Sequence, residues 1–137
     1  MIQSFYIAGE RLEIDPIKTK EFYLTQHKIT DDCQCDDCHF YAVVFIQKKF
    51  SFFELLKTMG IDLRKNLTGE PTGVWCVRDD QGGFLYCQHV YQAIGQFSNT
   101  NTERFRYNMA EGDYKILAEI VKKIEGKIDF ELIIEKV

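Results

Sequence analysis

"VWCVRDDQGGFLYCQHVYQAIGQF", residues 74–97, reads as a β-hairpin, with Asp-Gln-Gly-Gly at 80–83 as the turn and aromatic, β-branched flanks on either side. A hairpin this rich in rings needs further strands beside it, and the sequence offers them. "ERFRYNM" (103–109) alternates rings with polar residues. "KIDFELIIEKV" (127–137) places Ile128, Phe130, Leu132 and Ile134 on one face, as a half-buried strand does. "QSFYIAG" (3–9) is a short ring-rich strand closed by Gly9.

Between these strands lie helical patterns. Asp15 and Pro16 suit an N-cap and a first helical turn, with Ile17, Phe22 and Tyr23 as an inward stripe and an end near His27. The apolar run "CHFYAVVFIQKKF" (38–50) is expected to be a helix, because Asp36 and Asp37 precede it and Lys48 and Lys49 close it. "SFFELLKTMGID" (51–62) carries an S-x-x-E capping box in Ser51 and Glu54. Its apolar positions Phe52, Leu55, Leu56 and Met59 recur at helical spacing, and Gly60 supplies the stop. "RKNLTGEPTG" (64–73) is turn-rich loop, and "YKILAEIVKKI" (114–124) gathers Ile116, Leu117, Ile120, Val121 and Ile124 on one helical face. The expectation is one α+β domain over residues 1–137, an antiparallel sheet with two or three helices packed on it.

Composition narrows the function classes. The chain of 137 residues is 45% hydrophobic and 14% aromatic, enough for a substantial core. Its net charge of −4 offers no basic field for phosphates, which argues against nucleic-acid binding. Residues 1–15 carry charges where a signal peptide needs an apolar run, and no segment approaches membrane-spanning length, so the expected location is the cytoplasm. There, five cysteines suit free thiols, metal ligands or redox residues better than a disulfide framework.

Three of those cysteines fall in "DDCQCDDC" (31–38). Cys33, Cys35 and Cys38 are soft donors of the kind zinc selects. Cys87 and His89, two apart on the second hairpin strand, share a face and could each supply a fourth ligand. His39 follows Cys38 directly and points about 100° away on a helix, a weaker choice. In the contrasting redox reading, Cys35-Asp-Asp-Cys38 is a C-x-x-C at a helix start, whose dipole lowers a thiol pKa, while Asp31, Asp32, Asp36 and Asp37 raise it by repulsion. In the plainest reading those aspartates form a solvated loop, with Asp36 or Asp37 capping the helix.

No G-x-S-x-G, Walker or H-E-x-x-H spacing is present, so hydrolase and nucleotide chemistry lack a signature. Trp75, Phe84, Tyr86 and Tyr91 could line a ligand groove, although aromatic alternation on a hairpin is more often cross-strand packing.

The C-x-C-x-x-C of Cys33, Cys35 and Cys38 is followed by Gly60, Ile61, Asp62 and Lys65 as G-I-D-x-x-K, and then by Tyr86, His89 and Gly95. Over residues 31–97 this resembles a small bacterial protein family to which no function is attached. Where that family carries a basic residue and an asparagine after the third cysteine, this chain has His39 and Phe40. The resemblance implies a bacterial protein and no reaction. The expected function is a non-catalytic binding or interaction protein, immunity-type or regulatory, with a protein partner and a structural cysteine cluster able to take zinc. The alternative is a thiol-redox or metal-dependent enzyme using Cys35 and Cys38.

Overall fold

Phe84–Phe97 forms a single 14-residue strand, β4, and the rest of the sheet is arranged around it. The computed structural model describes residues 1–67, 74–81 and 84–137; residues 68–73 of the expected loop and Gly82 and Gly83 of the expected turn lie outside the described residues. The other strands are β1 (Gln3–Ile7), β2 (Glu10–Ile14), β3 (Trp75–Arg78), β5 (Arg104–Glu111), β6 (Tyr114–Val121) and β7 (Lys127–Lys136). The helices are α1 (Pro16–Leu24), α2 (Ile29–Asp32), α3 (Asp36–Val43) and α4 (Ser51–Thr58), with a 3₁₀ turn at Phe45–Gln47. All strand pairs are antiparallel, in the order β1-β2-β4-β7-β6-β5, and β3 also pairs with β4. This is the α+β architecture expected from the sequence.

One edge of β4 pairs with β7 from Tyr86 to Ile94. On the opposite edge β3 covers the first part, up to Trp75↔Gln88, and β2 covers the last, from Gly95 to Phe97. Side chains of α1 serve the gap between them. The Gln92 N–H donates to Tyr23 Oη at 2.8 Å and the Ile94 N–H to Thr19 Oγ1 at 3.0 Å, while the Asp15 N–H donates to the Ile94 carbonyl at 2.9 Å. Buried backbone donors must find partners, and two hydroxyls here replace a strand. Two glycines permit the close fit. A Cβ at Gly95 would collide with the Glu13 carbonyl of β2, and one at Gly60 (φ +92°) would collide with the Pro16 carbonyl at the start of α1.

The inner face of the sheet carries Tyr91 and Ala93 of β4, Ile128, Phe130, Leu132 and Ile134 of β7, and Ile116, Ala118 and Ile120 of β6, all buried. Against it pack Tyr41, Phe45, Phe52, Phe53 and Leu56 from the helical layer. Phe52 stacks on Tyr107 at 4.7 Å and meets Phe130 edge-on at 6.4 Å. At the centre, Tyr91 Oη donates to the Leu63 carbonyl at 2.7 Å. Its single proton thus spent, it accepts from Tyr41 Oη at 2.7 Å.

Several local expectations are corrected. Residues 114–121 are strand β6, not a helix. The segment satisfies both periodicities, and the sheet settles the choice by pairing it with β5 on one side and β7 on the other; Ile124, a member of the helical stripe, is 55% exposed. The run 38–50 is not one helix: α3 ends at Val43, and after Val44 the chain tightens into the 3₁₀ turn. Ser51 and Glu54 form no capping box. Phe50 is the N-cap of α4, the Ser51 N–H donates to Glu111 Oε1 at 2.6 Å, and Glu54 pairs with Lys57. In α1, Asp15 caps as expected through the Lys18 N–H at 3.0 Å, but the helix stops at Leu24 and Ile17 points outward. In α4, Phe53 is fully buried and Leu55 only partly so.

Two outcomes follow from this core. Phe52→Ala is expected to cost about 3–5 kcal/mol, read as a lowered denaturant midpoint. Burial pushes the hydroxyls of Tyr23, Tyr41 and Tyr91 above the ordinary tyrosine value. The unfolded chain then loses these protons first as pH rises, so their stabilisation is complete below about pH 10 and declines above it, by up to about 1.4 kcal/mol per pH unit for each group. Thermal melts between pH 8 and pH 11.5 should show a flat region followed by a steep fall.

Candidate metal centre

The cysteine cluster occupies the junction between α2 and α3. Cys33 closes α2, its N–H donating to the Ile29 carbonyl at 3.0 Å, and it is extended (φ −148°, ψ 124°). Cys35 is also extended (φ −67°, ψ 163°) and is the N-cap of α3. Alternate residues of an extended segment project to one side, and the first turn of α3 brings Cys38 back towards them. The three Sγ atoms lie within 4.8 Å of one another, a group able to hold a metal ion. Cys38 is buried, Cys33 half-buried and Cys35 exposed.

The cap is a thiol where an aspartate was expected: Cys35 Sγ accepts from the Cys38 N–H at 3.4 Å. Asp36 and Asp37 sit in the first turn instead, where the helix dipole favours negative charge. Asp37 also takes two hydrogen bonds from the Arg78 guanidinium, at 3.0 and 3.1 Å, which ties α3 to the end of β3. Phe40 stacks on Phe84 at 3.8 Å with Arg78 over the same ring, and Cys38 Sγ approaches the Val74 carbonyl at 4.0 Å.

The other end of the junction is held by the G-I-D-x-x-K segment. The Ile29 N–H donates to the Arg64 carbonyl at 2.8 Å, and the Lys65 ammonium donates to the Gln26 carbonyl at 2.9 Å. Asn66 Nδ2 donates to Asp32 Oδ2 at 3.1 Å, and His27 Nδ1 meets Asp32 Oδ1 at 2.9 Å. The Asn66 hydrogen bond, with His27 second, holds the Asp32 carboxyl below its ordinary pKa. These motif residues position the cluster rather than joining it.

Electrostatics separate the two C-x-x-C thiols. The hydrogen bond from the Cys38 backbone N–H, reinforced by one from the Cys33 side chain, lowers the Cys35 pKa, whereas burial pushes Cys38 up to about 12. At Cys35 these hydrogen bonds act in the same direction as the helix dipole and against the repulsion of the flanking aspartates.

Cys87 does not join the thiols. It is disulfide-bonded to Cys76, directly opposite on β3. Both residues lie equally far in sequence from the Asp-Gln-Gly-Gly segment at 80–83, a symmetry visible in the sequence, so the preference for unpaired thiols is corrected at this pair. His89 is buried on the inner face, its ring 4.8 Å from Tyr91 and 5.5 Å from Tyr41, with Nε2 3.3 Å from the Lys65 carbonyl. His39 is exposed on α3. The four aromatic candidates separate by face. Phe84 and Tyr91 are buried in the core, while Trp75, 54% exposed, and the half-buried Tyr86 meet edge-to-face at 5.3 Å on the other side of the sheet. That helix-free side holds a cavity of about 800 Å³ floored by Val90, Leu117 and Ile133.

No family model matches the chain, and no curated protein or solved structure matches it either. Its functional reading rests on this geometry. No helix among the described residues is long and apolar enough to cross a membrane.

The contrast between the thiols gives a measurable order. In metal-free protein at pH 7.5, iodoacetamide followed by peptide mass spectrometry should label Cys35 first and Cys38 last, at least tenfold apart in rate, since only the thiolate reacts.

Proposed function

We propose that this protein is a non-catalytic binding module whose Cys33, Cys35 and Cys38 hold zinc as a structural tie. The observation that carries the reading is the convergence of three sulfurs within 4.8 Å at the turn between two short helices. Zinc favours thiolates, and the lowered pKa of Cys35 reduces the competition from protons that metal binding must overcome. A metal here would fix α2 to α3, two elements too short to be stable alone, and so fix the Phe40 and Asp37 contacts that hold α3 on the hairpin. The expected partner is another protein, in an immunity-type or regulatory role in a bacterial cytoplasm.

A second reading is supported by the contrast at Cys35 and Cys38. An exposed thiol of lowered pKa capping a helix, with a buried thiol of raised pKa one turn on, is the arrangement of a dithiol that attacks a substrate disulfide and then closes on itself. In that exchange the two thiols become one disulfide, and the substrate disulfide leaves as two thiols.

Elemental analysis of protein purified without chelator separates the readings. The metal reading expects about one zinc per chain, lost in Cys35→Ser and Cys38→Ser together with a drop in melting temperature; a ligand at a thousand times its Kd contributes about 4 kcal/mol. Metal-free protein that forms a Cys35–Cys38 disulfide in a glutathione buffer favours the redox reading.

A further inference from the structure

The cavity of about 800 Å³ on the helix-free side of the sheet has a floor fixed by strand register. Trp75 pairs with Gln88, Gln88 with Ile133, Ile133 with Leu117 and Leu117 with Asn108, so these residues form one row across five strands. Four inter-strand steps make that row about 19 Å long. The next row on the same face runs Val90, Glu131, Glu119 and Arg106. Between them, the half-buried Val90, Leu117 and Ile133 form an apolar centre. At one end stands Trp75, 54% exposed, edge-on to Tyr86, on a strand tied to β4 by the adjacent Cys76–Cys87 disulfide.

At the other end the charges do not balance. Glu119 faces both Arg104, at 3.2 Å, and Arg106, at 2.9 Å, while Glu131 is matched by Lys123 at 2.6 Å. Three cations meet two carboxylates, and one positive charge is left over. Arg106 engages Glu119 through Nε, and the N–H groups at the tip of its guanidinium have no acceptor among the described residues. A guanidinium presents its donors as a planar fork that a carboxylate matches with two hydrogen bonds. We propose that this trough binds an amphipathic monocarboxylate of medium chain length, its carboxylate on Arg106 and its apolar chain over Leu117, Ile133 and Val90 towards Trp75. A dianionic head would exceed the single surplus charge, and a cationic head would add to it. Covering the aliphatic centre and the indole removes apolar surface from water, which supplies the attraction along the chain. An apolar floor with a few placed polar groups, in a volume within the usual range of about 300–1,000 Å³, is the ordinary form of a small-molecule site. The trough lies on the face away from the helices and is independent of any metal at the cysteines.

Trp75 is the single tryptophan of the chain, so intrinsic tryptophan fluorescence reads this site alone. The probe is decanoate below its micelle-forming concentration, with decylammonium as the cation of equal length and acetate as the head group alone. Decanoate is expected to shift Trp75 emission to the blue saturably, with half-saturation at least fivefold lower than for decylammonium, no shift with acetate and an unchanged far-ultraviolet circular dichroism spectrum. The Arg106 side chain is 84% exposed, so Arg106→Gln spares the core, and in that variant half-saturation should rise at least fivefold. An equal response to decylammonium, or an Arg106→Gln variant that binds decanoate as the unaltered chain does, overturns the recognition of a carboxylate. No shift with decanoate, or one that comes only with loss of the fold, overturns the trough as a ligand site. A dimer whose Trp75 emission is already blue-shifted and unmoved by decanoate would assign this face to a second copy of the chain instead.

Discussion

Everything in this fold answers to the backbone of β4. A strand of 14 residues in the middle of a sheet presents polar groups along two edges, and burying any of them without a partner costs on the order of 1–3 kcal/mol. One edge is straightforward, since β7 runs beside it for nine residue pairs. The other is divided among β3, two hydroxyls of α1 and β2. That division explains why the chain makes a hairpin and a helix before it reaches the cysteines, and why Gly95 and Gly60 stand where backbones touch.

The cysteine junction depends on the same strand at one remove. α3 rests on β3 and β4 through Phe40 on Phe84 and Asp37 on Arg78, and Val74 leads directly into β3. The loop that anchors α2 is itself held by β4, because Tyr91 donates to Leu63 and His89 reaches Lys65. Three thiols in two short helical segments would not stay together by local propensity. They are held by contacts that originate in the sheet.

How far this was legible in the sequence depends on whether the deciding partner was near or far. The alternation in 127–137 and the Asp-Gln-Gly-Gly turn at 80–83 are local signals, and they placed β7 and the β3–β4 hairpin correctly. Residues 114–121 carry a pattern that suits either period, and only the two flanking strands resolve it. The convergence of Cys33, Cys35 and Cys38 was readable from spacing. The loss of Cys87 was readable too, had its equal offset from the turn been weighed beside Cys76. The Asn66–Asp32 clamp and the tyrosine pair at Leu63 join residues too far apart in sequence for any spacing rule to reveal.

The pairing of β2 with the end of β4 sets a schedule for the chain as it is made. Leu12 pairs with Phe97, and at ordinary synthesis rates the second residue is added seconds to tens of seconds after the first, on the order of 5–20 residues per second. For that interval the β1–β2 hairpin has only itself, and an isolated two-stranded hairpin is at best marginal in water. Ile7, Leu12 and Ile14, all buried in the finished protein, would meet solvent or a chaperone first. The β1–β2 hairpin is thus made well before β4, the strand that secures it.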